Sequence, residues 1–262
     1  MQMESGHKSL SYDAAIFDLD GVITKTALVH AVAWREMFNE YLQLRARRDG
    51  EPFKEFTYKE DYLPYIDGKP RYKGVQSFLE SRGINIPFGE KGAAADEESV
   101  CGLGNKKNIK FREVLKKEGV NSYKAAVNLI RELKDKGVKI GVASSSKNCQ
   151  FVLKSAGIED LFETRVDGVV SVELGLKGKP QGDIFIQAVN NLGSDPSKAI
   201  VFEDAVSGVQ AGRNGGFNLV VGIAREENEE ELKKNGADIV IKSFEGVTAD
   251  VLEQWFNESK IL

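Results

Sequence analysis

AAIFDLDGVIT, residues Ala14 to Thr24, opens with four apolar residues and then stops at two aspartates two positions apart, Asp18 and Asp20. A short apolar run that ends so abruptly reads as a buried strand handing its carboxylates to a loop. On its own D-x-D-G is a weak sign, because Asp and Gly are common in turns after strands. The same pattern recurs down the chain, however. Val138 to Ala143 (VKIGVA) ends at Ser144, Ser145 and Ser146, and Ala199 to Phe202 (AIVF) ends at Glu203 and Asp204. Leu219 to Ile223 and Asp238 to Ile241 are further short apolar runs. Helical periods at Ala125–Lys136, Asn148–Ala156, Asp183–Leu192 and Val206–Asn214 lie between them. Strand alternating with helix predicts an α/β fold, a doubly wound parallel sheet with helices on both faces.

After Phe17 no convincing strand appears until Val138. Ala31–Leu44, Val75–Arg82 and Lys107–Lys117 read as helices, with an irregular stretch rich in Tyr, Pro and charge (EFTYKEDYLPYIDGKPRYKG) in the middle. The simplest reading is a helical insert at 27–118 in a core made of 1–26 plus 119–262.

In open parallel sheets, ligands bind beyond the carboxyl ends of the strands. Asp18, Asp20, Glu203 and Asp204 are therefore expected to share a cleft with Ser144 and with Lys179, which lies in a Gly/Pro loop before a helix. Four carboxylates repel unless a cation sits among them. Oxygen donors without histidine or thiolate suit Mg2+, so all four are candidate metal ligands. Carboxylates attack phosphoryl groups to give an acyl phosphate. Asp18 is the candidate nucleophile, and Asp20, two residues on, the candidate acid/base. Ser144, Ser145 and Lys179, with N–H groups at the helix start near Asn148, are candidates to hold phosphate oxygens.

Composition narrows the class. Hydrophobic residues are 41% and charged residues 29% of 262, with a formal net charge of -4. That is ordinary for a globular protein and argues against a nucleic-acid partner. Two histidines rule against a histidine-rich zinc site, and two cysteines without a C-x-x-C pair point to a reducing cytoplasm. No run is apolar and long enough for a membrane span, and a monomer is expected. Trp34 and Trp255 read as core residues, and Cys149 as a buried thiol.

FDLDGVIT (Phe17–Thr24), VASSSKN (Val142–Asn148), GKPQGDIF (Gly178–Phe185) and VFEDAVSGVQAG (Val201–Gly212) resemble, in order, the four motifs of the haloacid dehalogenase superfamily. The resemblance covers nearly the whole chain, the insert standing where that superfamily carries its C1 cap. The second Asp of the D-x-D pair implies phosphate chemistry rather than dehalogenation. Within the superfamily, FDLDGVITKTALVHAVAW (Phe17–Trp34) is similar to the β-phosphoglucomutases. That resemblance implies a phosphorylated sugar as substrate. It implies hinge-proximal roles for Thr26 and His30, and a substrate loop at IDGKPR containing Gly68, where Arg71 would bind the distal phosphate. It also places Lys147 and Asn148 near the transferring phosphate, as substrate-binding residues. The activity implied is interconversion of β-glucose 1-phosphate and glucose 6-phosphate through an aspartyl-phosphate and a bisphosphate.

Departures keep a Mg-dependent phosphatase open as the alternative. Lys25 replaces an acidic residue, and Asp67 a basic one. The insert is longer across Gln43–Asp61 and Gly89–Gly102, and the second cap lysine aligns near Asn105 with Lys106 beside it. A non-enzymatic receiver-type domain would also phosphorylate an Asp, but it needs neither the D-x-D spacing nor a large insert.

Overall fold

The computed structural model describes residues 10–225 and 227–259. Six parallel strands form one sheet in the order β3-β2-β1-β4-β5-β6. They are β1 (Ala14–Phe17), β2 (Lys139–Ala143), β3 (Thr164–Val166), β4 (Ala199–Glu203), β5 (Leu219–Ile223) and β6 (Ile239–Ile241). β1 lies at the centre, with Ala14 opposite both Lys139 and Ala199 and Phe17 opposite both Val142 and Phe202. The strand order reverses there, so the acidic loop after β1 stands at the switch point.

Both faces are covered, because successive side chains of a strand point to opposite sides. Ala15 and Phe17, with Ile200 and Phe202 of β4, enter one apolar cluster, while Ala14, Ile16, Ala199 and Val201 enter another. Phe17 and Phe202 stack with centroids 4.4 Å apart. Helices α5 (Lys124–Asp135), α6 (Cys149–Ser155) and α11 (Ala249–Ser259) pack on the first side, and α8 (Asp183–Asn191), α9 (Val206–Asn214) and α10 (Glu229–Lys234) on the second.

Helices α1 (Thr26–Asp49), α2 (Leu63–Tyr65), α3 (Arg71–Ser81) and α4 (Val100–Glu118) lie between β1 and the next strand in sequence, β2. They enclose a third apolar cluster around Trp34, Phe38, Phe56 and Phe78. Ala33 of α1 and Phe111 and Leu115 of α4 instead pack into the first sheet cluster, tying the insert to the sheet.

Helix α2, strand β3, α7 (Gly168–Glu173) and α11 were not expected from sequence. β3 is a three-residue edge strand with a partly exposed surface, so it lacks the continuous apolar run that marks the inner strands. α1, α3 and α4 begin earlier than their apolar periods suggested, and α1 ends at Gly50 in the left-handed conformation. Of the acidic run Glu226–Glu231, Glu226 lies outside the described residues, and α10 starts at Glu229. No helix among the described residues is long and apolar enough to cross a membrane.

Candidate active site

The turn after β1 sets the first two carboxylates. Leu19 folds back into the sheet core, while Asp18 and Asp20 on either side of it line one cavity. Gly21 closes the turn with φ +85°, and a Cβ there would stand 1.8 Å from Asp204 Oδ2. Only glycine tolerates both the left-handed backbone and that approach.

Asp18 accepts a hydrogen bond from Lys179 Nζ at 2.6 Å, and the same ammonium donates to Glu203. The second oxygen of Glu203 accepts from the Ala205 N–H at 2.7 Å. All three side chains are buried. Burial pushes the Asp18 carboxyl up to about 8; Lys179 works against that rise, and Glu203 and Asp20 add to it. Burial opposes a charged Lys179, but Asp18 and Glu203 outweigh it and hold the lysine above its ordinary value. Asp204 is pushed well up by burial and by Glu203, Asp67 and Asp18.

Asp20 faces the other way. Its Oδ1 accepts from Thr26 Oγ1 and stands 3.4 Å from His30 Nε2, and its Oδ2 is 3.5 Å from Ser144 Oγ. Burial alone would raise it, but His30, Thr26 and Lys107 outweigh burial and keep it low. Two carboxylates two residues apart thus acquire opposite tendencies from their surroundings.

Lys107 is one residue that sequence reasoning missed. It is buried, contacts His30 Nδ1, and lies 4.9 Å from the Trp34 ring centroid and 4.8 Å from that of Phe111. Burial, then Arg71, push it well below the ordinary lysine value. The family resemblance places the second cap lysine near Asn105 and Lys106. Instead Asn105 binds Tyr72 and the carbonyl oxygens of Lys91 and Ala93, and Lys106 pairs with Glu40 at the surface. One residue of register on a helix turns a side chain by about 100°, and a KK pair offers no local signal to choose between its members. Trp34 is core, as expected, but it also lines the cavity.

The remaining candidates meet where insert and core touch. Ser145 Oγ donates to the Gly68 carbonyl at 2.9 Å, and Ser207 Oγ to the Asp67 carbonyl at 3.1 Å. Gly68 has φ +69°, and a Cβ would fall 2.1 Å from Ser207 Oγ. Arg71 is mostly buried, and it lines the cavity with Lys147 and Asn148. Arg71 and Lys147 both lie against the Tyr72 ring. Asp67 is pushed up to about 7 by burial and by Glu203, against Tyr62, Lys179 and the Gly68 N–H. The structure therefore gathers Asp18, Asp20, Arg71, Ser144, Lys179 and Asp204 around one space.

Residues 12–216 match the haloacid dehalogenase-like hydrolase family. The chain belongs to that family. Its described relatives include a β-phosphoglucomutase of Mycobacterium bovis, 43% identical over 231 residues that span 87% of this chain and 88% of that protein. A phosphorylated carbohydrates phosphatase of Thermotoga maritima is 27% identical, over 88% of this chain and 94% of the other. Among solved structures, a β-phosphoglucomutase from Clostridium difficile superposes with TM-score 0.75 at 26% identity, covering 96% of this chain and all (100%) of that one. Within the haloacid dehalogenase-like family, the chain is of the β-phosphoglucomutase-like type.

Proposed function

We propose that this protein is a sugar-phosphate mutase interconverting β-glucose 1-phosphate and glucose 6-phosphate, with Asp18 as nucleophile and Asp20 as acid/base. The observation that carries the proposal is that one cavity is lined by two sets of cationic groups. Lys179 stands beside Asp18, while Arg71 of the insert and Lys147 of the core both lie against the Tyr72 ring. A phosphatase needs only the first. A mutase must also hold the phosphate that is not reacting, and arginine suits that grip.

In the mechanism, Asp18 starts as the aspartyl-phosphate, charged by a bisphosphate. Asp20 removes the proton of the free sugar hydroxyl, whose oxygen attacks phosphorus and releases the Asp18 carboxylate, giving the bisphosphate. The bisphosphate turns over. Asp18 then bonds to the other phosphorus and displaces the sugar oxygen, which takes the proton from Asp20 and restores the aspartyl-phosphate. Thr26, His30 and Lys107 favour the ionised form of Asp20, the form that accepts the hydroxyl proton. Ser144, Ser145 and Lys179 are assigned to the transferring phosphate. Lys147 and Asn148, expected from sequence beside that phosphate, are assigned with Arg71 to the other, because Lys147 shares the Tyr72 ring with Arg71 and Asn148 shares Asn108 with it. Thr26, His30 and Gly68 place the insert over the sugar.

The cavity measures about 80 Å³, less than the roughly 150 Å³ that accommodates benzene. Residues 27–118 therefore act as a cap that lifts to admit substrate and closes through the Ser145–Gly68 and Ser207–Asp67 bonds. Closure keeps water from the aspartyl-phosphate, directing transfer to sugar.

Among the described residues, no three acidic, histidine or cysteine side chains are already drawn around one point, because Lys179 bridges Asp18 and Glu203. The donor set nevertheless fits Mg2+. It is all oxygen, and the raised Asp18 and Asp204 mark a cluster short of positive charge. We assign the ion to the group Asp18, Asp20, Glu203 and Asp204, all four of which line the cavity. When bound, Mg2+ shields the phosphate charge from the attacking carboxylate. Mg2+ at about a hundred times its Kd should stabilise the protein by about 2.7 kcal/mol, read as a rise in melting temperature. Asp204→Asn should abolish most of that rise.

The buried, unpaired Cys101 and Cys149 fit a reducing cytoplasm, and a single chain supplies every group the scheme uses. The deciding test is a phosphorus NMR time course with β-glucose 1-phosphate, Mg2+ and a trace of bisphosphate. Glucose 6-phosphate is the expected product. Release of inorganic phosphate alone would replace the mutase with the phosphatase that the Thermotoga relative brings to mind.

A further inference from the structure

We infer that Asn108, a residue behind the cavity wall, is a positioning residue that holds the second phosphate-binding group in shape. The inference rests on the mutase reading and adds a residue to it.

Arg71 Nη2 donates to Asn108 Oδ1 at 2.8 Å, and Asn148 Nδ2 donates to the same oxygen at 2.8 Å. One acceptor thus joins a residue at the start of α3 to one at the start of α6. One turn further along α4, Arg112 Nε donates to Asn148 Oδ1 at 3.1 Å. Both ends of the Asn148 amide are then fixed by α4, so the amide has one orientation.

Arg71 and Asn148 line the cavity and Asn108 does not. A guanidinium has five N–H donors and a carboxamide two. After these bonds Asn148 keeps one N–H and Arg71 four for a ligand. Asn108 uses an acceptor that a phosphate lacks any need for, and leaves the donors that a phosphate requires. Asn148 is buried, so an unheld amide there would be free to turn its oxygen towards an anion.

The arrangement also reports closure. α4 and α3 belong to the insert and Asn148 to the core, so the three-way contact forms only with the cap down. Binding the distal phosphate and closing the cap become one event, because the same oxygen aligns donors from both sides.

The test uses full-length Asn108→Ala and Asn108→Leu with two phosphoryl donors. β-Glucose 1-phosphate, with Mg2+ and a trace of glucose 1,6-bisphosphate, needs the second grip. Acetyl phosphate labels Asp18 and releases acetate without needing it. Losing hydrogen bonds to a charged group should lower kcat/KM for the sugar phosphate about tenfold or more, with acetyl phosphate labelling held within about twofold. Melting temperatures check that each variant folds; leucine keeps side-chain volume if alanine leaves a cavity.

If neither rate moves, or both fall together in folded variants, Asn108 does not position the second grip. Wild-type protein that only hydrolyses β-glucose 1-phosphate would sink the mutase reading instead. The same kcat/KM comparison on that hydrolysis would still decide Asn108.

Discussion

Asp18→Asn should lose turnover by roughly 10⁴-fold or more, the scale seen when a covalent nucleophile is removed, and should form no hydroxylamine-labile phosphoenzyme with acetyl phosphate. The carboxylate has no substitute. Asp20 is drawn towards Thr26 and His30, Glu203 is filled by Lys179 and the Ala205 N–H, and Asp204 lies against Gly21. The variant should nevertheless fold at least as well as the parent. Burial, Glu203 and Asp20 all disfavour the ionised carboxylate, which is why Asp18 is pushed up to about 8. An uncharged amide of the same shape avoids that cost while still accepting from Lys179. Quench-flow labelling and thermal melting read the two effects separately. Labelled protein from the Asn variant would move the nucleophile elsewhere.

Lys179→Met should cost about 3–5 kcal/mol of stability, the usual penalty when one partner of a buried ion pair is removed. Methionine keeps most of the volume, so the loss comes from charge. Asp18 and Glu203 would face each other, buried, without the ammonium that joins them. Urea unfolding measures the loss. Mg2+ should restore part of it, since a cation among these carboxylates answers the same repulsion. A loss below about 1 kcal/mol, the range of solvated pairs, would mean that water reaches the pair. Phosphoryl transfer should fall as well, because Lys179 is assigned to the transferring phosphate. The stability measurement is independent of that assignment.

Much of this site was legible because parallel strands buried on both faces are continuous apolar runs, and the polar residue ending each run is conspicuous. Asp18, Ser144, Glu203 and Asp204 were found that way, and Lys179 by its loop. β3 escaped because an edge strand with one partly exposed face carries no such run. Lys107, Asn108 and Arg112 escaped for a different reason. In sequence they belong to a polar stretch of a charged helix, indistinguishable from a solvated face. Only the packing of α4 against α1 and the core separates the buried Lys107 from Lys106, which pairs at the surface.

The sequence by itself determined the parallel sheet, the insert after β1, and which chemical groups stand at the strand ends. Those follow from local patterns, namely apolar runs, helical periods and the residues that stop them. The tertiary structure alone decided how the groups are used. Asp18 and Lys179 are 161 residues apart and meet only because α8, which follows the lysine's loop, packs against β1. Asp18 and Asp20 share a turn, yet burial beside Glu203 raises one while His30, Thr26 and Lys107 lower the other. A carboxylate's charge and direction depend on what surrounds it, and those surroundings come from distant parts of the chain.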